Sequence, residues 1–327
     1  MTKVKTPLVL AVDLGGTNIR VALISDKVAV LDRASRDTLA DEGPRAVVGR
    51  IFAAIDHILD KNNMTPGAIS IAAPGAIDIR NGIVTASPNL PGWHNVALRD
   101  MVAEKCGVPA YLIHDANAAA LGEQQLGAGK GARNLIYLTV STGIGGGIII
   151  DGRLYSGVSG SAGELGHMTI DINGPRCSCG NTGCLEVLAS GKAVAREAIR
   201  RIAGGERSAL TDMVAGNLKD ITAEKVWLAA QGGDSLADEV ISQAAAYLGV
   251  GLVNIVNIFN PEVIVIGGGM SRMGDRLLEP ARQMVKERAF ALPAQAVRIV
   301  TAELGDDAGL LGAAIFALSQ RNTRRTR

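Results

Sequence analysis

Two stretches of this chain share one grammar: a short apolar run, a glycine turn, and a second apolar run. In the first, Leu8-Val9-Leu10-Ala11-Val12 enters Asp13-Leu14-Gly15-Gly16-Thr17 and leaves through Ile19 to Ile24. In the second, Leu135 to Val140 enters Ser141-Thr142-Gly143-Ile144-Gly145-Gly146-Gly147 and leaves through Ile148 to Ile150. Apolar runs of this length read as buried strands, and a glycine turn between two of them reads as a hairpin. That constrains the fold, because a strand answered by a second strand is not the opening of a βα crossover unit. The recurrence suggests a weak internal duplication, one unit per domain. A length of 327 residues exceeds the usual single-domain size, so two domains sharing a cleft are expected.

Between and after these units the periodicities alternate. Pro44 to Asp60 reads as a helix, Ala68 to Ala72 as a strand stopped by Pro74-Gly75, and Ala110 to His114 as a strand with a helix behind it from Asn117 to Leu126. Leu236 to Ile258 is a long helical stretch, and Gly309 to Ser319 reads as a closing helix. Val263-Ile264-Val265-Ile266 is a buried strand that delivers Gly267-Gly268-Gly269 to its carboxyl end, where open α/β sheets place their ligands.

A formal net charge of +1 gives no general pull toward nucleic acid or an anionic membrane. The arginine-rich run from Arg321 to Arg327 reads as a solvated tail. The start, Met1 to Pro7, enters a strand without a small-residue cleavage site, and the apolar region from Asn134 to Ile150 is broken by Ser141, Thr142 and glycines. A cytoplasmic chain with no membrane segment is the expectation.

Glycine stands at 40 residues, about 12% against a usual 7% or so, and its clusters follow apolar strands. Asp13-Leu14-Gly15-Gly16-Thr17 offers unobstructed backbone N–H groups, a hydroxyl and a carboxylate, the groups that hold a phosphate and, through water, its Mg²⁺. Ser141 to Gly147 repeats the recipe without the carboxylate. Each alone could be only a tight hairpin. Two of them, with Gly267-Gly268-Gly269 after a third strand, point to a nucleotide. A G-x-x-x-x-G-K-[ST] loop is absent, and G-x-G-x-x-G breaks at Ile148 counted from Gly143 and at Arg272 counted from Gly267.

Three of the four cysteines, Cys177, Cys179 and Cys184, fall within eight residues, with His167 ten residues before the first. In a cytosolic chain such crowding reads as metal ligation. Three thiolates and one imidazole suit tetrahedral Zn²⁺, and a closed Cys₃His set is structural. Cys106 stands apart as an ordinary thiol.

These segments resemble those of the ROK family within the sugar kinase/actin/Hsp70 superfamily. Asp13 to Thr17, Ser141 to Gly147 and Gly267 to Gly269 look like its phosphate-1, phosphate-2 and adenosine segments. Glu164-Leu165-Gly166-His167, then Cys177-Ser178-Cys179-Gly180-Asn181-Thr182-Gly183-Cys184-Leu185-Glu186, matches the family's Glu-x-Gly-His and Cys-x-Cys-Gly-x-x-Gly-Cys-x-Glu signature in full. Pro88-Asn89-Leu90-Pro91-Gly92-Trp93 is similar to a family segment whose Asn contacts sugar; read alone it is a proline-bounded surface turn. Ala73-Pro74-Gly75 is similar to a turn that lines the same site.

The resemblance implies an α/β fold of two ribonuclease-H-like (actin-like ATPase) domains with a cleft between them and a zinc-bound loop. It implies ATP on Asp13, Gly15, Gly16, Thr17, Thr142, Gly143, Gly267, Gly268 and Gly269 with Mg²⁺, and structural Zn²⁺ on His167, Cys177, Cys179 and Cys184. Sugar would fall to Gly75, Asn89, His114, Asp115, Glu164, His167 and Glu186. Residues 1–117 with 306–327 would form the smaller lobe and 118–305 the larger. Family relatives are commonly homodimers or tetramers, and a homo-oligomer is expected here.

Asp115, in Ile113-His114-Asp115-Ala116-Asn117, sits at a strand's end before a helix. Its residue type and place fit a helix N-cap or a general base for a sugar hydroxyl. The resemblance favours the base, since the family carries Asn-Asp-x-Asn here. His114 departs from that pattern, and some ROK regulators share His-Asp at this point. The reading is therefore a hexose kinase transferring the ATP γ-phosphoryl to a 6-hydroxyl, with glucose first. N-acetylglucosamine or N-acetylmannosamine kinase, a polyphosphate donor, and a non-catalytic sugar-sensing regulator are the alternatives. The regulators carry a helix-turn-helix ahead of the kinase-like body, for which the phosphate-1 segment at residue 13 leaves no expected room.

Overall fold

A computed structural model describes residues 8–325; Met1 to Pro7 and the last two residues of the arginine run lie outside the described residues. The first sheet holds β1 (Val9–Leu14), β2 (Asn18–Ile24), β3 (Val30–Asp37), β4 (Ala68–Ala73) and β8 (Ala110–His114), ordered β3-β2-β1-β4-β8. Strands β1–β2 and β2–β3 pair antiparallel, while β1–β4 and β4–β8 pair parallel. The intervening β5 (Ala76–Asp78), β6 (Ile83–Ala86) and β7 (His94–Val96) form a separate three-stranded sheet.

The second sheet repeats the first. Strands β9 (Leu135–Val140), β10 (Ile144–Ile150), β11 (Arg153–Leu154), β12 (Val263–Gly267) and β13 (Arg298–Thr301) take the order β11-β10-β9-β12-β13. Again the first three pair antiparallel and the last two join parallel. The duplication seen in two hairpins therefore extends over both five-stranded sheets, the architecture of a two-domain actin-like ATPase.

The helices are α1 (Pro44–Asn62), α2 (Leu98–Cys106), α3 (Asp115–Leu126), α4 (Leu185–Ala189), α5 (Gly191–Ala203), α6 (Leu210–Met213), α7 (Ala223–Gln231), α8 (Ser235–Phe259), α9 (Asp275–Arg288), α10 (Ala291–Ala296) and α11 (Ala308–Arg325). One core lies between the first sheet and α1–α2, with Leu10, Ile51, Ile55 and Ile69 fully buried. Another lies between the second sheet and the helices from α4 to α9. A third joins the two halves: small residues of α3 and α11 (Ala118, Ala120, Ala313, Ala314) pack with Ala11 and Ala72 of one sheet and Leu135 and Val265 of the other. Helix α8 is long and apolar enough to cross a membrane, but half of that apolar window is buried, and it packs against α7 and α9.

Two local readings are corrected. Strand β10 begins at Ile144, so Gly145, Gly146 and Gly147 lie within it, opposite Thr139, Leu138 and Tyr137. These glycines serve packing: a Cβ on Gly147 would stand 2.6 Å from Ala120 Cβ, and one on Gly146 would stand 2.7 Å from Gly163 O. The turn proper is only Ser141 to Gly143. Helix α3 begins at Asp115, with His114 as its N-cap, so the capping role weighed for Asp115 belongs to its neighbour.

Candidate active site

The carboxyl ends of the parallel strands converge on one cleft. Strand β1 brings Asp13, β4 leads to Gly75, β8 ends at His114, and β12 ends at Gly267. Asp13, Asp115, Gly267, Gly268 and Gly269 line a single cavity of about 510 Å³, together with Arg20 and Tyr137. Through Ser141 and Gly269 it meets a second space of about 630 Å³, walled by Thr142, Ile221, Trp227 and Met270. A polar chamber opening onto an apolar slot suits the triphosphate and base of a nucleotide. Gly268 has φ +83°, and a Cβ there would meet Val140 O at 2.6 Å, so only glycine lets the chain turn away from β12 here.

Asp13 carries the strongest electrostatic signature in this cavity. Burial pushes its carboxyl up to about 7, the charge of Asp115 adds to the rise, and Arg20 opposes it. The Arg20 Nη1 lies 3.5 Å from Asp13 Oδ2, and its Nη2 lies 3.2 Å from Asp306 Oδ2. Two carboxylates facing one phosphate-sized space, with glycine turns around them, fit a hydrated divalent cation.

Gly15, Gly16 and Thr17 form the β1–β2 turn but line neither cavity. Gly15 N–H donates to Asn18 O at 2.9 Å, which closes the turn. Fully buried Thr38 holds it from below, its Oγ1 donating to Gly15 O at 2.7 Å and its N–H to Thr17 O at 2.7 Å. Asn89 is exposed, and a Cβ on Gly16 would lie 3.1 Å from the Asn89 Cβ. The Pro88–Trp93 turn is not a loose surface feature, since Leu90 and Trp93 are anchored in the core.

A third, much smaller pocket adjoins Asp115. Gly75, His114, Gly146, Gly163 and Glu164 are among its walls, so it gathers three of the expected sugar residues. Asn89, His167 and Glu186 do not line it. Glu186 Oε2 instead accepts from Ile144 N–H at 2.9 Å, bracing the phosphate-2 turn above Gly143.

At the start of α3 one backbone N–H serves two side chains. Ala116 N–H lies 2.7 Å from Asp115 Oδ1 and 3.3 Å from His114 Nδ1. Both side chains thus accept from one backbone donor, and His114 Nδ1 lies 3.1 Å from Asp115 Oδ1.

His167, Cys177, Cys179 and Cys184 converge with all ligand atoms within 4.8 Å of one another. A tetrahedral zinc with ordinary bond lengths places two thiolates roughly 3.8 Å apart and a thiolate and an imidazole nitrogen about 3.6 Å apart. Cys179 and Cys184 Sγ are 3.7 Å apart, and Cys177 Sγ is 3.6 Å from His167 Nδ1. The four residues fit the ion. With Nδ1 turned to the metal, Nε2 faces Glu164 Oε2 at 3.9 Å. The loop bends at Gly183 (φ +67°), where a Cβ would fall 1.6 Å from Asp171 O.

The ROK family model matches residues 9–320. The chain belongs to the ROK family. It is 39% identical over 305 residues to a glucokinase of Thermotoga maritima, covering 93% of this chain and 95% of the relative. A ROK family glucokinase from Streptomyces griseus, solved in complex with glucose and AMPPNP, superposes with TM-score 0.81 at 33% identity, covering 94% of this chain and 98% of that one. A xylose repressor of Caldicellulosiruptor bescii is 34% identical, covering 95% of this chain and 78% of the repressor.

Sequence reasoning missed one buried group that shapes the site. Glu123 is fully buried on α3 and accepts from the N–H groups of Ala128 at 2.9 Å, Glu303 at 3.2 Å and Leu304 at 2.8 Å. It ties α3 to the segment that leads into α11. Its glutamate looks like an ordinary helix-surface residue in the sequence.

Proposed function

We infer that this protein is an ATP-dependent hexose kinase that phosphorylates the 6-hydroxyl of a hexose, with glucose the leading substrate. The observation that carries this is the position of Asp115. Its carboxylate faces the phosphate cavity with Asp13, while its neighbour His114 lines the small pocket with Gly75 and Glu164. A base at that junction can take the proton of a hydroxyl presented from one side as it attacks a phosphoryl presented from the other. The Ala116 N–H, donating to Asp115 Oδ1 at 2.7 Å, orients that base, and the glycine turns offer N–H groups to the transferred charge. Asp13 would organise Mg²⁺ through water, and the metal would supply charge neutralisation on the phosphates. Gly15 to Thr17, Thr142 and Gly143 would hold the phosphates. His167 and Glu186, positioned by the zinc loop and by the phosphate-2 turn, would approach the sugar on closure, as would Asn89. The family likeness to glucokinases supports glucose, and the thiol-rich metal set and ATP substrate support a cytoplasmic location.

We further propose lobes of 1–117 with 306–327 and of 118–305. All strands of the first sheet fall in one and all strands of the second in the other, while α3 crosses the boundary.

A regulator that senses sugar is the second reading, favoured by the likeness to xylose repressors. One experiment separates them: ADP release with Mg-ATP against glucose, N-acetylglucosamine, N-acetylmannosamine, mannose and fructose, with Asp115→Asn alongside. Turnover of a hexose that falls by about 10²–10⁴ in kcat in the variant, with its Tm unchanged, supports the kinase and the base. A zinc-loaded, folded protein that binds sugar but turns none over sinks the kinase reading and leaves the sensor.

A further inference from the structure

We propose that Asn117 is a sugar-binding residue whose side-chain carbonyl accepts a hydrogen bond from a ring hydroxyl of the hexose; this rests on the hexose-kinase reading of the site. Asn117 is 1% exposed, yet its Oδ1 finds no hydrogen-bond partner among the described residues. It lines the small pocket with Gly75, His114, Gly146, Gly163 and Glu164. A buried carbonyl without a donor is destabilising, so such an atom is retained where something outside the chain satisfies it.

The backbone set against that buried oxygen belongs to Gly163. Gly163 has φ +106°, and a Cβ there would lie 2.6 Å from Gly146 O and 3.7 Å from Asn117 Oδ1. Any side chain at Gly163 would occupy the space in front of the amide. Residues 114 and 117 are three apart across the start of α3 and share a side, whereas Asp115 is turned toward the phosphate cavity. The helix start thus sorts its polar groups: the base toward the phosphoryl donor, and His114 with Asn117 toward the sugar ring. An acceptor-only oxygen here demands a hydroxyl that donates, which is what a polyol offers and a bare apolar ligand does not.

The test is Asn117→Leu, near in shape and without the oxygen. Removing an unpaired acceptor leaves the sugar-free protein as stable as before or more so, so its Tm should hold or rise. The KM for glucose should rise about tenfold or more while the KM for ATP stays constant. Monodeoxy glucoses complete the cycle: the one lacking the donating hydroxyl should bind wild type and variant equally. An unchanged glucose KM, or a Tm that falls while the KM does not move, overturns the proposal. Should Asn117→Leu fail to fold, Asn117→Ser is read by the same KM criterion. If wild type turns over no hexose, the kinase reading falls by itself. The Asn117 assignment is then decided by the glucose-induced thermal shift, which must be present in wild type and lost in the variant.

Discussion

At the residue scale the site is built on displaced acid–base behaviour. Asp13 would titrate near 3.8 when solvated, but burial and the neighbouring Asp115 charge hold it at about 7. The sign follows from proton counting. Between the unfolded and folded values the folded state binds more protons, so stability falls as pH rises from about 4 to 7. Below that window both states are protonated and nothing is lost; above it the whole penalty is present. Asp13→Asn removes the penalty, so in metal-free, nucleotide-free protein the variant should match wild type at pH 4. It should be more stable at pH 8, by on the order of a few kcal/mol. Thermal unfolding at both pH values checks this, and equal Tm at pH 8 would show that Arg20 alone neutralises the carboxylate. Asp13 and Asp115 were legible from sequence because each closes an apolar run. Thr38, Glu123 and the unpartnered Asn117 carbonyl were not, since nothing in their neighbours in sequence marks the distant groups they meet.

At the element scale the zinc loop was the most legible part of the chain, because its chemistry is local: three cysteines, two kinked glycines and a histidine. Its attachment was less so. His167 sits in a short 3₁₀ turn, Leu165–His167, and Cys184 immediately precedes α4, so the four ligands pin two unrelated pieces of backbone together. Between them, Thr169 bridges to Cys184 and Arg176 to Thr182 as isolated β-bridges. So little regular structure cannot hold the loop without the ion. Cys177→Ser should lose the zinc, read as metal per chain, and lower Tm by about 5–10 °C. On the sugar roles proposed for His167 and Glu164, which face each other at 3.9 Å, the glucose KM should rise more than the ATP KM. Full retention of stoichiometric zinc in the variant would sink the assignment. The β10 glycines show the opposite limit: their spacing looked like a turn, but their cause is a helix packed on the strand.

At the scale of the whole molecule two features bear on the proposed closure of the lobes. The two proposed lobes meet where α3 packs on α11, and the approach is very close: a Cβ on Gly312 would fall 1.6 Å from Ala118 O, and one on Gly122 2.5 Å from Ala308 O. Backbones in such contact rotate as a pair more readily than they part, so the proposed closure would pivot here. Opposite it, the segment that carries Glu164 reaches across the cleft. Arg80 Nη2, beyond β5, donates to Val158 O at 3.0 Å, and a Cβ on Gly160 would rest 3.5 Å from Ile79. These contacts draw Gly160 to Glu164 over the small pocket next to Asp115. A single exposed hydrogen bond contributes roughly 0.5–1.5 kcal/mol, so Arg80→Ala should weaken closure without unseating the chemistry. The glucose KM should rise roughly two- to tenfold, with Tm and the ATP KM unchanged. Small-angle scattering with glucose bound should show a larger radius of gyration than wild type. An unaltered KM together with wild-type compaction would mean that closure is driven by the pivot and the sugar alone.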